Sequence, residues 1–454
     1  MMAPYHRLIL AEWKEEVLRG ITLSSRDRIL ADELMFESEP KLLVEELREG
    51  LRIKARSWVG VVRFEEFEVH IEPKLAGDQI GLINMINFTA GLDALSKNSG
   101  ARSIAIEGVD LFDLVALLLV EACEGVVRKG LFADYVECED NLPVVRGRLL
   151  GDRQILRRFG QIDRLECRFD EQQYDSAENQ LLGVALRACG RRVIHGGVRR
   201  RAKELQAIFE NICDPAKFDV ESAEQMIVYH RLNDHYREAH EIARFVLDGL
   251  GIHDVFAKGG TTCFAFLIDM NTLFERFVHR LIDRLLPRDR YRVAYQHASK
   301  SIIQNAVTDK PYSRVIPDIL IQPRSRPNVR IAMDAKYKIY DERKISPEDV
   351  YQTFVYAYAY GGAAAATFPA AILIYPSSTG AAKELRLRIR STTTSARAQI
   401  IALGIPIPAA LADVEDGVCR DATKALLNAI EELESGLPST RSKAEAGLHV
   451  AHSF

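Results

Sequence analysis

Three polar residues stand out because of the apolar strands they interrupt. Asp318 lies in the run Arg314-Val-Ile-Pro-Asp-Ile-Leu-Ile, and Asp334 and Lys336 lie in Arg330-Ile-Ala-Met-Asp-Ala-Lys-Tyr-Lys. A charge in so apolar a strand is costly unless it is paired or bound to a metal. Residues two apart share a strand face. Asp334 and Lys336 therefore project together, Lys338 extends the row, and Met333, Ala335 and Tyr337 face the other way into packing. Pro323 and Ser325-Arg-Pro-Asn supply a turn between the runs. If the two runs form a hairpin, Asp318 comes beside Asp334. Two carboxylates brought together repel, and a cation relieves the repulsion. Such a pair can hold a hard divalent ion with room left for water and a phosphate oxygen, while a neighbouring lysine orients water or steadies developing charge. Those are the requirements of phosphodiester hydrolysis. The competing structural reading is a salt bridge among the three residues.

The elements that must position them are legible on either side. Asn271 to Leu286 carries apolar residues at 273, 274, 277, 278, 281, 282 and 285, a helical stripe closed by Pro287. Glu275 lies on that helix and, taken alone, reads as a surface residue. Ser346-Pro-Glu-Asp is a helix start leading into Val350 to Tyr360, which sets Gln352 and Tyr356 four apart on one face. Taken alone, that pair reads as ordinary helix packing. Ala370 to Tyr375 is a buried strand.

The remainder of the 454 residues is too long for one domain, and 47% apolar with 27% charged residues describes a globular chain. Residues 1–105 read as a β-rich region, 106–262 as helical and rich in arginine, 263–435 as an α/β unit, and 436–454 as a loose tail. The fold class expected is mixed α/β. A net charge of −4 is unusual for a free-standing nonspecific DNA binder, so any nucleic-acid contact comes from a local patch or through a partner. One such patch is Arg187, Arg191, Arg192, Arg199, Arg200, Arg201 and Lys203, with no acidic residue among them. Arg146, Arg148, Arg153, Arg157 and Arg158 form a second. A solvated helix face and a phosphate contact are equally good readings of both.

Seven cysteines without a CxxC pair suit reduced thiols in the cytoplasm rather than a zinc knuckle, and the amino terminus has no signal peptide. Residues 350–382 hold no charge, a length that would cross a membrane. Gly361-Gly362, Pro369 and Pro376 break the stretch, which reads as helix, turn and strand. The dipeptide Gly-Lys is absent, so the chain encodes no phosphate loop of its own.

Together, Pro317-Asp318, Asp334-Ala335-Lys336, the upstream Glu275 and the downstream Gln352-x-x-x-Tyr356 resemble the PD-(D/E)xK nuclease superfamily. The last spacing resembles the QxxxY motif of its RecB-like branch. Asn271-Thr-Leu-Phe-Glu-Arg-Phe-Val, Asp334-Ala-Lys-Tyr-Lys, Leu142-Pro-Val-Val-Arg-Gly-Arg-Leu, Glu178-Asn179 and Ile71-Glu-Pro-Lys resemble the McrC family specifically, over roughly residues 45 to 380. The resemblance implies a magnesium-dependent DNA endonuclease subunit, with manganese as a substitute, in a modification-dependent restriction system against foreign DNA such as that carrying 5-methylcytosine. It implies a McrB-like AAA+ GTPase hexamer as partner, docked on and stimulated by the amino-terminal part. Asp318 and Asp334 would hold the metal and Lys336 would assist the nucleophile. Glu275 would be an auxiliary ligand, directly or through water. Gln352 and Tyr356 would support the site or touch the DNA backbone. Two other readings stand beside this one: a stand-alone RecB-like repair nuclease, and a non-catalytic adaptor that activates an AAA+ partner.

Overall fold

The computed structural model describes residues 6–36, 40–75, 79–90, 110–160, 163–218, 227–250, 263–297, 299–341, 343–361, 369–379, 382–390 and 396–435. It is mixed α/β, as the sequence suggests. The tail expected at 436–454 lies outside the described residues.

The front region comprises β1 (His6–Ala11), β2 (Glu15–Arg19), α1 (Ser25–Met35), β3 (Leu42–Leu47), β4 (Gly50–Ala55), β5 (Trp58–Arg63) and β6 (Phe67–Glu72). The alternating run from Leu51 is two strands in two sheets, because the chain leaves the order β2-β4-β3 at Arg56 and enters a second sheet with β5. In β4 the alternation is real: Leu51, Ile53 and Ala55 are buried while Arg52 is exposed. The second sheet runs β1-β6-β5 and ends on β10 (Phe264–Asp269), antiparallel to β5 with Phe264 opposite Arg63. A boundary at residue 263 is therefore not clean, since the first strand beyond it completes the front sheet. Sequence alone cannot pair strands two hundred residues apart.

The middle holds α2 (Gln79–Ala90), α3 (Leu111–Lys129), α4 (Gly151–Arg158), α5 (Ala177–Arg192), α6 (Gly196–Ile212) and α7 (Arg237–Leu250). It is not wholly helical. β7 (Asp134–Leu142), β8 (Arg148–Leu149) and β9 (Leu165–Gln173) form an outlying sheet in the order β7-β9-β8. β7 and β8 are mostly exposed and lack apolar alternation, whereas β9 alternates Leu165, Cys167 and Phe169 with polar residues and buries the last two, a strand signal the sequence does offer. Cross-strand pairs such as Arg168 with Glu139 at 2.6 Å line the sheet. Glu178 and Asn179 at the start of α5 are structural. Asn179 donates to the carbonyls of Phe132 and Tyr174, both at 2.8 Å, and accepts from Tyr236 Oη at 2.8 Å. Glu178 accepts from Asn233 at 3.0 Å. A buried network so fully satisfied fixes helix packing.

The last region opens with α8 (Met270–Leu285), whose residues 273, 274, 277, 278, 281 and 282 are buried as the stripe requires. Asp269 caps it by accepting from Asn271 N at 2.9 Å. A six-stranded sheet follows, built from β11 (Tyr291–Tyr295), β14 (Ile319–Pro323), β15 (Ile331–Ala335), β16 (Ala370–Pro376), β17 (Lys383–Arg390) and β18 (Ala396–Ile405) in the order β11-β14-β15-β16-β18-β17. β12 (Ser299–Gln304) and β13 (Pro311–Val315) form a side ribbon. β14 and β15 are an antiparallel hairpin, and α9 (Pro347–Tyr360) crosses from β15 to its parallel neighbour β16. α10 (Ile407–Asp416) and α11 (Asp421–Ser435) close the unit. The uncharged stretch thus resolves into α9 and β16, with residues 362–368 outside the described set. Among the described residues no helix is long and apolar enough to cross a membrane. One apolar cluster runs from Val59 of the front through α3, α5 and α8 to Ile430.

Candidate active site

The hairpin register places Ile319 opposite Met333, which sets Asp318 opposite Asp334. Asp318 is not inside a strand. The expected strand from Arg314 is cut at Ile316-Pro317-Asp318, where Pro317 has no N–H to give a ladder. The break frees the Asp318 side chain to turn across the hairpin, where Oδ2 accepts from Ala335 N at 2.8 Å. Gln296 N holds the Asp318 carbonyl at 2.8 Å.

Asp334, near the end of β15, is fully buried, and its Oδ1 accepts from Lys336 Nζ at 3.0 Å. Its Oδ2 is buried with no N–H or hydroxyl donor among the described residues, and the Asp318 carboxyl faces Asp334 within hydrogen-bonding reach. Burial pushes the Asp334 carboxyl up to about 7; Lys336 opposes that shift and the charge of Asp318 adds to it. Asp318 is raised too, by burial and then by Glu275. Burial would lower the Lys336 ammonium, but Asp334 and Asp318 outweigh it and the lysine is held more firmly protonated. Glu275 on α8 is half-buried rather than on the surface. Burial raises it, Lys336 pulls it down, and Asp269 and Asp334 add repulsion. Gln296 Nε2 donates to its Oε2 at 3.5 Å.

The donor set suits a hard divalent cation. Asp318 and Asp334 are oxygen donors facing each other, and Oδ2 of Asp334, with no N–H or hydroxyl donor among the described residues, is the buried acceptor such an ion would satisfy. Among the described residues no three metal-capable side chains stand close enough to share one ion. Glu275 therefore fits a water-mediated place rather than a direct one.

Gln352 and Tyr356 act one step back. Gln352 Nε2 donates to Tyr356 Oη at 2.9 Å, and Tyr356 Oη donates to the Ile316 carbonyl at 2.8 Å. Tyr360 Oη, one turn on, donates to the Val315 carbonyl at 2.8 Å. Helix α9 thus grips the two residues that precede Pro317-Asp318. Sequence reasoning misses Tyr360, although its spacing of four from Tyr356 is the signal that could find it. It misses Asp349 as well. Asp349 takes Lys338 Nζ at 2.8 Å and is hydrogen-bonded to Tyr340 Oη, so Lys338 turns to the start of α9 instead of extending the Asp334–Lys336 row. Those hydrogen bonds outweigh burial and hold Asp349 below the usual carboxylate range. Tyr337 packs inward as its strand face requires, 5.9 Å from the Phe274 ring, and donates to Glu12 Oε2 at 2.9 Å.

The basic runs are not brought to this site as a block. Arg192 is buried, with its guanidinium 5.9 Å from the Phe264 ring, so it leaves the set of phosphate contacts. Arg187 pairs with Glu210 at 3.0 Å, Arg201 with Glu124 at 2.9 Å, and Arg200 more loosely with Glu204 at 3.8 Å. Arg199 Nε donates to the Val193 carbonyl at 2.6 Å. Arg191, Arg200 and Lys203 are exposed. In the second group Arg146 pairs with Glu171 at 3.1 Å and Arg158 with Glu166 at 3.2 Å, and Arg153 pairs with Glu139.

Comparison with known proteins follows the same lines. A family model described as "McrBC 5-methylcytosine restriction system component" matches residues 53–376, well over half of the chain. Among solved structures, a half-complex of Thermococcus gammatolerans McrB AAA+ hexamers with bound McrC contains a chain with TM-score 0.54 and 21% identity; the match covers 90% of this chain and 98% of that one. A second match, in the Thermococcus gammatolerans McrBC complex, has TM-score 0.46 and 22% identity over 62% of this chain and 88% of that one. No curated protein matches.

Proposed function

We propose that this chain, which belongs to the family of McrBC 5-methylcytosine restriction system components, is the DNA-cutting subunit of such a system. The observation that carries this reading is the mutually facing pair of half-buried Asp318 and buried Asp334. Asp334 Oδ2 lacks a donor among the described residues, and Lys336 stands alongside. Asp318 and Asp334 would hold magnesium or manganese, with Glu275 ordering water beside it. When bound, that cation supplies Lewis-acid activation of the phosphodiester and of its attacking water. Lys336 is held protonated, so it serves as a fixed positive donor to the phosphate or the attacking water and not as the proton acceptor. Tyr356 and Tyr360 position Asp318 by holding the two carbonyls before Pro317.

The chain carries no phosphate loop, so nucleotide hydrolysis belongs to a partner. The reading is a McrB-like AAA+ GTPase hexamer that docks on the β-rich front, residues 1–105, and is stimulated by it. The test is reconstitution on modified DNA with magnesium. The chain alone should leave DNA intact, and adding the GTPase with GTP should produce cuts. Efficient cutting by the chain alone would contradict the dependence on a motor.

A further inference from the structure

A cleft of about 500 Å³ lies between the front region and the α/β unit, and the reaction above makes no use of it. Glu12, Trp13, Lys14 and Lys74 line one side; Lys338, Arg343 and Lys344 line the other. Two segments singled out in the sequence meet there, since Lys74 ends Ile71-Glu-Pro-Lys and Lys338 ends Asp334-Ala-Lys-Tyr-Lys. Five of these side chains are cations and Glu12 is the one acid. Tyr337, between Lys336 and Lys338, also lines the cleft, so the same chain segment runs from the candidate metal site into it.

Its residues are built unlike a plain domain seam. Trp13 is 53% exposed and has φ 64°, a left-handed backbone that a bulky side chain rarely adopts. Arg56 stands 5.9 Å from its ring. Glu12 is 1% exposed; its Oε2 accepts from Lys74 N at 2.8 Å and from Tyr337 Oη at 2.9 Å, while its Oε1 is buried without a partner among the described residues. An exposed aromatic ring beside several exposed cations is the complement of a base plane and its phosphates.

We propose that this cleft seats one nucleotide of the DNA strand being cut, with its base on Trp13 and its phosphates on Lys14, Arg343 and Lys344. The proposal deepens the nuclease reading and rests on it for the identity of the strand. It makes Trp13 a positioning residue for that strand.

The chain has two tryptophans, so Trp58→Phe leaves Trp13 as the sole fluorescent reporter. A single-stranded oligodeoxynucleotide, added in EDTA so that no cutting occurs, should quench Trp13 fluorescence. The double substitution Arg343→Ala with Lys344→Ala should weaken that binding about 10-fold. If Trp58→Phe fails to fold, 5-fluorotryptophan NMR on the unaltered chain gives the same readout, with the Trp13 resonance assigned by Trp13→Phe. Absence of any Trp13 response to the strand overturns the proposal. A response to dGMP or GTP but not to the strand also overturns it, by making the ligand a free nucleotide. Asp334→Ala should leave the quenching unchanged. If that variant still cuts DNA while Trp13 still responds, the nuclease reading fails and the cleft stands.

Discussion

The hairpin of β14 and β15 and the arginine run of α5 and α6 handle charge in opposite ways. The run is the denser of the two, with seven basic residues between Arg187 and Lys203. Its charge is spent locally: Arg187 and Arg201 sit on carboxylates of neighbouring helices, Arg199 on a carbonyl, and Arg192 is buried. From Asp318 to Lys336 the hairpin has six charges, three of them arginines of the turn, yet it sets a buried and a half-buried carboxylate face to face and leaves one oxygen with no donor among the described residues. Density of charge is therefore a weak sign of chemistry. Charge buried at a cost and left unsatisfied is the stronger sign, because folding alone would have removed it.

Substitutions in the two regions should differ accordingly, with the hairpin the more sensitive. On the proposed mechanism, Lys336→Ala would remove the cation beside the reacting phosphate and should lower the cleavage rate on the order of 10²–10³-fold. Single-turnover rates in the reconstituted system measure this, and a loss below about 10-fold would make Lys336 a structural partner of Asp334.

The next effect is in stability. Asp334 is raised to about 7 from its ordinary range, so the folded chain binds more protons than the unfolded one between those limits. The metal-free chain should therefore lose stability as pH rises from about 4 through about 7, at up to ~1.4 kcal/mol per pH unit for this one group. Magnesium should restore it most at the alkaline end. Thermal melts in EDTA and in magnesium measure this. A metal effect independent of pH, or unchanged in Asp334→Asn, would contradict it.

Tyr356→Phe keeps the ring but loses the bond to the Ile316 carbonyl, so it should cost about 1 kcal/mol of stability and about 10-fold in rate. Equal rates would show that Tyr360 alone holds the strand. The smallest effect belongs to the arginine run. Neutralising the exposed Arg191, Arg200 and Lys203 should flatten the slope of log K against log salt by about 0.9 for each DNA phosphate the chain no longer engages. An unchanged slope would leave the run a purely structural face.

Much of the site is legible in the sequence because strand and helix periods are local. The facing of Asp334 and Lys336, the stripe of α8 and the shared face of Gln352 and Tyr356 all follow from residues a few positions apart. What escapes is non-local or non-periodic. Pro317 breaks the strand, and that break, not a strand face, aims Asp318. In the sheet of β7, β8 and β9 only β9 alternates, through Leu165, Cys167 and Phe169, while exposed β7 gives no apolar period to betray its partner strand. β10 joins the front sheet through partners two hundred residues away. Arg192 reads as one more cation in a run until its burial against Phe264 is seen.

The facing carboxylates are tested most directly by Asp334→Ala in the reconstituted system, with DNA cleavage and GTP hydrolysis read from the same sample. Cleavage should fall below detection while stimulation of the partner's GTPase stays near that of the unaltered chain. Cleavage that persists would contradict the metal site, and loss of both activities would contradict the division of labour between the front region and the hairpin.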